Sequence, residues 1–152
     1  MKHRCAAALL AWPLLAGADS GVPAAVATVV SGGYWQAEGR SGSYRVVVAL
    51  RGFETVGSRV IVEWVAGPKT ADDAAAVVAA VEPALPEGEP VTWTANLQRV
   101  LPGCVRITLR GVNTMLPSQR STRTVWALAP GQIELSEARS AKPPAACRGA
   151  AR

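Results

Sequence analysis

The sequence predicts an all-β domain built from short antiparallel strands. Stretches in which apolar and polar residues alternate recur along the chain, and this is the period of a strand with one buried face. Turn signals that contain Gly or Pro separate these stretches at intervals of about 10 residues. Valine, threonine and tryptophan, which favour strands, occupy many of the alternating positions.

The first elements precede residue 43. Residues 26–31 and 34–38 each favour a short strand, and Gly32-Gly33 predicts a break between them. Residues 39–42 contain two glycines and predict a turn.

A hairpin is predicted most clearly over residues 43–51 and 58–65, joined by residues 52–57. Alternation places one apolar set on a single face of this pair: Tyr44, Val46, Val48, Leu50, Val60, Val62 and Trp64.

The chain after the hairpin is less regular. Thr70 and the two aspartates that follow predict a turn or one helical turn, because threonine caps helices and acids suit their positive ends. Residues 77–82 favour a strand, and the three prolines of residues 83–90 predict a loop.

Regular alternation returns in the second half of the chain. It predicts strands at residues 91–98, 104–110, 124–129 and 132–136, with a polar loop over 117–122. Eight or so short strands favour an antiparallel β-sandwich of the immunoglobulin-like kind, with a small β-barrel as the alternative.

The two ends differ from this domain. Residues 2–4 are basic, residues 5–18 are almost entirely apolar, and small residues precede Asp19, which is the pattern of a secretory signal peptide cleaved between Ala18 and Asp19. We therefore expect a signal peptide over 1–18, a β-sandwich domain over 19–137 and a disordered, basic, Ala- and Pro-rich tail over 138–152. This organisation predicts a periplasmic or secreted protein with no transmembrane segment after cleavage. The alternative is an uncleaved N-terminal anchor.

Composition excludes several classes of function. The single histidine is His3, so the mature chain holds no Ser-His-Asp triad, no Cys-His dyad and no histidine metal site. Residues 19–137 contain ten basic and eleven acidic residues, so the net charge of +5 comes from the two ends. We therefore expect no catalytic residue, no metal, no cofactor and no nucleic-acid partner.

Two cysteines remain after cleavage, Cys104 and Cys147, and an even pair in an exported chain predicts one disulfide. Cys104 alternates with the polar face of its strand, alongside Arg106 and Arg110. A bond to Cys147 then holds the tail over the outside of a sheet. Free or intermolecular thiols are the alternative.

An internal repeat is suggested by a shared tripeptide. Leu50-Arg51-Gly52 matches Leu109-Arg110-Gly111, and each copy has one tryptophan before it and one after it: Trp35 and Trp64, then Trp93 and Trp126. The alternative is convergence between strands that end at a glycine turn. In either case we expect the tryptophans in the core.

Candidate binding residues lie near these tripeptides. Phe53 and Glu54 place an aromatic beside an acid in the hairpin loop, and with Arg51 and Arg110 they form our predicted ligand or partner surface. The alternative is that Phe53 folds back on the core. A second hypothesis puts seven arginines on one outer sheet face, against the alternative of a solvated face with cross-strand pairs such as an Arg with Glu63: Arg45, Arg51, Arg59, Arg106, Arg110, Arg120 and Arg123.

The hairpin over residues 44–64, with its runs Tyr44-Arg45-Val46-Val47-Val48 and Ser58-Arg59-Val60-Ile61-Val62-Glu63-Trp64, resembles uncharacterised exported proteins of Gram-negative bacteria. This resemblance covers about a seventh of the chain. It implies an envelope location and carries over no functional residue.

These observations favour a non-enzymatic exported protein that binds another component of the cell envelope, most simply a protein. One alternative is a periplasmic small-ligand binder with a tryptophan-lined pocket. A further alternative is a hydrolase that uses Glu54 and Glu63 as a carboxylate pair.

Overall fold

The computed structural model describes residues 25–70, 73–86, 90–101, 103–136 and 142–149. The signal peptide and the bond between Ala18 and Asp19 lie outside the described residues, so the cleavage hypothesis stays a prediction.

Eight strands and one short helix form the described chain: β1 (Val26–Ala37), β2 (Arg40–Arg51), β3 (Gly57–Ala66), β4 (Ala76–Val81), β5 (Val91–Leu101), β6 (Cys104–Asn113), β7 (Arg120–Ala127), β8 (Ile133–Ser136) and α1 (Ala145–Gly149). Strands β1 to β4 form a first antiparallel sheet and β5 to β8 form a second. The all-β prediction is confirmed.

The strand order within each sheet is the order along the chain. The sheets are not closed into a barrel, so that alternative is wrong. Immunoglobulin-like domains place non-consecutive strands side by side in each sheet. Here the four neighbours in each sheet are consecutive strands, which is a meander.

One apolar core lies between the two sheets. Trp35, Tyr44 and Trp64 project into it from the first sheet, and Trp93 and Ile107 project from the second. All five are less than 7 % exposed. Burial of each such side chain stabilises the fold by about 1.5–3 kcal/mol.

Hydrogen bonds join the sheets as well. The Tyr44 hydroxyl lies 3.0 Å from the Gly103 carbonyl oxygen and 3.1 Å from that of Leu128. At the other end of the core, the backbone N–H of Trp93 donates to Ser58 Oγ over 2.8 Å. Both connections satisfy polar groups that the core would otherwise leave unpaired.

The predicted hairpin is confirmed, with Tyr44 opposite Trp64 and Val48 opposite Val60. Leu50 is the exception on its face, because the strand continues past the core and leaves this side chain 44 % exposed.

The predicted break and turn before this hairpin are wrong. Strand β1 runs through Gly32-Gly33, where the register shifts and Gly33 takes a φ of +69°. The turn is instead the pair Glu38-Gly39, both with positive φ, which matches the twist of a two-residue hairpin. Gly42 belongs to β2, where the Val65 backbone leaves no room for a Cβ.

The later strands are found close to their predicted positions. Strands β5 and β6 extend further than predicted, β4 is shifted by one residue, β7 ends at Ala127 and β8 begins at Ile133. Strand β7 already begins at Arg120, within the predicted polar loop, because it pairs there with Val112 of β6.

Residues 142–149 of the predicted tail are described and include α1, with Cys147 buried. The disulfide between Cys104 and Cys147, whose Cα atoms lie 5.5 Å apart, joins this segment to β6. The rest of the predicted tail lies outside the described residues.

The repeat hypothesis matches the strand order but not the side-chain positions. Trp35 and Trp93 both lie on the first strand of a sheet and face the core. Leu109 is fully buried whereas Leu50 is exposed. Trp64 faces the core, but Trp126 lies on the outer side of the second sheet.

Candidate functional site

Two loops lie side by side at one end of the molecule. They are the β2–β3 loop, residues 52–56, and the β6–β7 loop, residues 114–119. Thr114 Oγ1 lies within hydrogen-bond distance of the Val56 and Pro90 carbonyl oxygens, at 3.0 and 2.9 Å. The Thr114 N–H also donates to the Pro90 carbonyl over 2.7 Å. One residue therefore holds both loops and the start of β5 together.

Large apolar side chains project from these loops into solvent. Phe53 is 98 % exposed, Met115 67 %, Leu116 52 % and Val56 37 %. The alternative in which Phe53 folds back on the core is therefore wrong. We call these four residues the apolar loop end.

The β6–β7 loop is held by a buried side chain. Asn113 Oδ1 accepts hydrogen bonds from the backbone N–H groups of Met115 and Leu116, at 2.9 and 3.1 Å. Asn113 Nδ2 donates to Gln119 Oε1 over 3.2 Å. This Asx-type turn points Met115 and Leu116 outward. Our reading of the sequence missed these two residues, although an Asn that directly follows a strand is a signal for such a turn.

Charged residues flank the apolar loop end. Glu54 is exposed beside Phe53, and Arg51 is exposed at the end of β2. Arg110, the fourth residue of the predicted surface, lies on the outer side of β6 in the second sheet. The structure therefore brings together Arg51, Phe53 and Glu54 and places Arg110 elsewhere.

The seven arginines do not share a face. Arg45, Arg51 and Arg59 lie on the outer side of the first sheet, where they line one groove. Arg106, Arg110 and Arg120 lie on the outer side of the second sheet. Arg123 is opposite the buried Leu109, so it lies on the inward side of β7. Strands β1 to β4 and β5 to β8 form separate sheets. Arginines at equivalent alternating positions in the two halves of the chain therefore lie on the outer faces of different sheets.

The alternative of cross-strand pairing is confirmed for part of this set. Arg45 Nε lies 2.5 Å from Glu63 Oε2, and these residues face each other across β2 and β3. Arg59 pairs with Glu82 at 3.4 Å.

The groove on the outer side of the first sheet has a volume of about 460 Å³. Val47, Ala49 and Ile61 form its apolar floor, and the Arg45–Glu63 pair lies among its walls. No tryptophan lines this groove, and the four tryptophans of the described chain are at most 6 % exposed. Trp93 lines a smaller cavity of about 50 Å³ together with Ser58 and Leu85, so the tryptophan-lined pocket stays a prediction.

A second apolar cluster lies outside the core. Trp126 packs there with Cys104 and Cys147, on the outer side of the second sheet. The segment 142–149 covers this tryptophan, which is only 2 % exposed. The prediction that the disulfide holds the tail over the outside of a sheet is confirmed.

The proposed carboxylate pair is not assembled. Glu54 lies in the β2–β3 loop, whereas Glu63 lies six residues inside β3, about 20 Å along the strand from its start. Paired carboxylates of glycosidases lie within about 10 Å of each other.

In the part of the chain that the structure describes, no three Cys, His, Asp or Glu side chains are grouped to hold a metal. Burial raises the pKa of Tyr44 to about 12, which keeps this phenol neutral.

Comparisons with known proteins do not assign this arrangement. Neither a scan against protein-family models nor searches of curated proteins and solved structures found a match to this chain. In the described ranges, no helix has the length and apolar content needed to cross a bilayer.

Proposed function

We propose that this protein is an exported, non-enzymatic binding domain that docks on a protein of the cell envelope through its apolar loop end. The observation that carries the proposal is the exposure of Phe53, Val56, Met115 and Leu116 on two loops that are joined by a hydrogen bond. Immunoglobulin-like domains also present binding loops at one end of two packed sheets, and this analogy supports the proposal.

The stability of the fold does not explain why these four apolar side chains are exposed. A side chain that is 98 % exposed, such as Phe53, adds almost nothing to the stability of the domain. Contiguous exposed apolar groups rimmed by polar residues are typical of interaction sites, and Phe and Met are enriched at interfaces. The fixed β6–β7 loop lowers the entropy lost on binding.

The carboxylate next to Phe53 favours a protein partner over a lipid bilayer. Glu54 lies beside Phe53, and inserting Phe53 into an apolar membrane would bring that carboxylate close to hydrocarbon and to anionic headgroups. A protein partner accommodates the pair with an apolar pocket and one basic group at its rim.

The test is site-specific photo-cross-linking in the native envelope. A photoreactive residue replaces Phe53 or Met115 in the full chain, and Val77 of β4, which is 45 % exposed, provides the matched apolar control. We expect one shared protein adduct from the two loop positions and none from Val77. Equal adducts from all three positions, or none from the loops, would refute the proposal.

A matched variant separates binding from folding. Phe53→Ser should abolish the adduct formed from Met115 and leave the thermal unfolding midpoint unchanged, because the Phe53 ring has no core contact to lose.

Small-ligand binding is a second candidate, favoured by the apolar groove on the first sheet. A thermal-shift screen of small apolar anions tests it, since Ile61 lies on the floor and Arg59 lies at the wall. Ile61→Lys should remove any shift that Val77→Lys retains.

A further inference from the structure

Polar and basic side chains cover most of the outer face of the second sheet. Hydroxyl, amide and guanidinium groups follow one another along β5, β6 and β7. We call it the Arg/Thr face, and its members are Thr92, Thr94, Asn96, Gln98, Arg106, Thr108, Arg110, Arg120, Thr122 and Thr124.

The register aligns these groups in rows across the sheet. Thr94 lies opposite Arg110, and Arg110 lies opposite Thr122. The next row of the same face joins Asn96, Thr108 and Thr124. Arginine therefore alternates with hydroxyl groups along β6, with Arg106 and Arg110 about 13 Å apart.

Two shallow grooves run on either side of β6. One lies against β5 and has a volume of about 370 Å³, and the other lies against β7 with about 540 Å³. Arg106, Thr108 and Arg110 line both grooves. The central strand therefore forms a ridge from which its two guanidinium groups can reach a chain lying in either groove.

One carboxylate offsets part of the positive charge of this face: Glu134 of β8 lies opposite Trp126 and so on the same outer side of the sheet. Strands β5, β6 and β7 themselves contain no acidic residue. The salt bridges of the described residues join Arg45 to Glu63 and Arg59 to Glu82, all outside this face. On the other outer face the same residue type is therefore paired, whereas Arg106, Arg110 and Arg120 have no carboxylate partner in the described chain.

Arg106 also has an unsatisfied donor. Its Nη2 donates to Gln98 Oε1, but its buried Nε has no acceptor in the described chain. Burial of this unpaired N–H group destabilises the guanidinium of Arg106 in its present position. A carboxylate that draws the guanidinium away from Gln98 can accept two parallel hydrogen bonds from it.

We propose that the Arg/Thr face binds an acidic polysaccharide whose repeating charge is a carboxylate. The arginines bind the carboxylates, and the threonine, asparagine and glutamine side chains exchange hydrogen bonds with sugar hydroxyls. Single-stranded nucleic acid is the weaker fit, because it requires exposed aromatic side chains for stacking and the aromatic residue on this side, Trp126, is covered. This site is independent of the apolar loop end.

Binding of the full chain to polygalacturonate at low salt, measured by isothermal titration calorimetry, tests the proposal. Arg110→Gln combined with Arg120→Gln should weaken binding by about tenfold or more, since both arginines are exposed and contribute charged hydrogen bonds. Arg40→Gln and Lys69→Gln together remove the same charge from exposed positions outside the face, so this matched control should change the affinity less than about twofold.

Further measurements test whether the charge of the ligand is what the face recognises. Thr108→Glu places an acid between Arg106 and Arg110 and should abolish binding. The thermal unfolding midpoint of each variant is measured as well, and an unchanged value shows that the variant is folded. Dextran, which is neutral, should not bind. Absence of binding to polygalacturonate, equal weakening by both double variants, or tighter binding of single-stranded DNA would each overturn the proposal. Phe53→Ser should leave polysaccharide binding intact, which separates this site from the proposed protein interface.

Discussion

Removing the disulfide should destabilise the protein by an amount that follows from the length of the loop it closes. Cys104 and Cys147 are 43 residues apart in the chain. For such a loop the chain-entropy relation gives about 4 kcal/mol at 25 °C, lost when both residues become serine. With a denaturant slope of about 2 kcal/mol/M, the urea midpoint should fall by about 2 M.

Tryptophan fluorescence identifies where this loss occurs. Trp126 is 2 % exposed beneath the segment 142–149, and the disulfide joins that segment to the sheet. In Cys104→Ser/Cys147→Ser the folded protein should therefore show red-shifted emission from Trp126, while the other three tryptophans stay in the core.

The assay is urea unfolding followed by both circular dichroism and emission wavelength. Met115→Ser, which changes an exposed residue away from the disulfide, is the control and should leave the midpoint unchanged. A midpoint shift below about 0.5 M, together with unshifted emission, would show that the disulfide does not hold this segment in place.

Three further substitutions have defined expectations. Tyr44→Phe removes a hydroxyl that serves two partly buried carbonyls and should destabilise the protein by about 1–3 kcal/mol in chemical unfolding at pH 7. Burial raises the pKa of Tyr44 from 10.0 to about 12, so the unfolded chain releases this proton first and the wild-type free energy of unfolding should fall between these pH values. Tyr44→Phe should lack the part of this pH dependence that comes from Tyr44. The same dependence of the unfolding free energy on pH in wild type and variant would contradict this assignment. Gly111→Ala places a Cβ 2.6–2.8 Å from three side-chain atoms and should lower the thermal midpoint, whereas Gly67→Ala, which meets one atom at 4.0 Å, should not. Glu38→Asn should raise the midpoint, because asparagine tolerates the positive φ of this turn better than glutamate, and a lowered midpoint would argue against the turn.

Sequence alternation predicted the core face of β2 and β3 well, since both strands bury one face and expose the other. Val46 and Val62 are fully buried, as their period requires. The same rule misplaced the break at Gly32-Gly33, because a bulge shifts the register without ending the strand.

The surface was less predictable than the core. Alternation tells which side of a strand a residue lies on, but it does not tell which sheet the strand joins. Arg51 and Arg110 follow equivalent leucines in the sequence, yet they lie on the outer faces of different sheets. The exposure of Met115 and Leu116 depends on a hydrogen-bonded turn that has no periodic signal.

The order of strands in the two meanders allows the chain to fold progressively during its synthesis. Every strand pairs with its neighbour in the chain, so each hairpin can close as soon as its second strand is available. The first sheet is complete at Val81, before any residue of β5 has emerged. Its inner face, with Trp35 and Trp64, then awaits the second sheet, whose arrival closes the core. In this order of events, docking of the second sheet on the first is the step that removes water from the core.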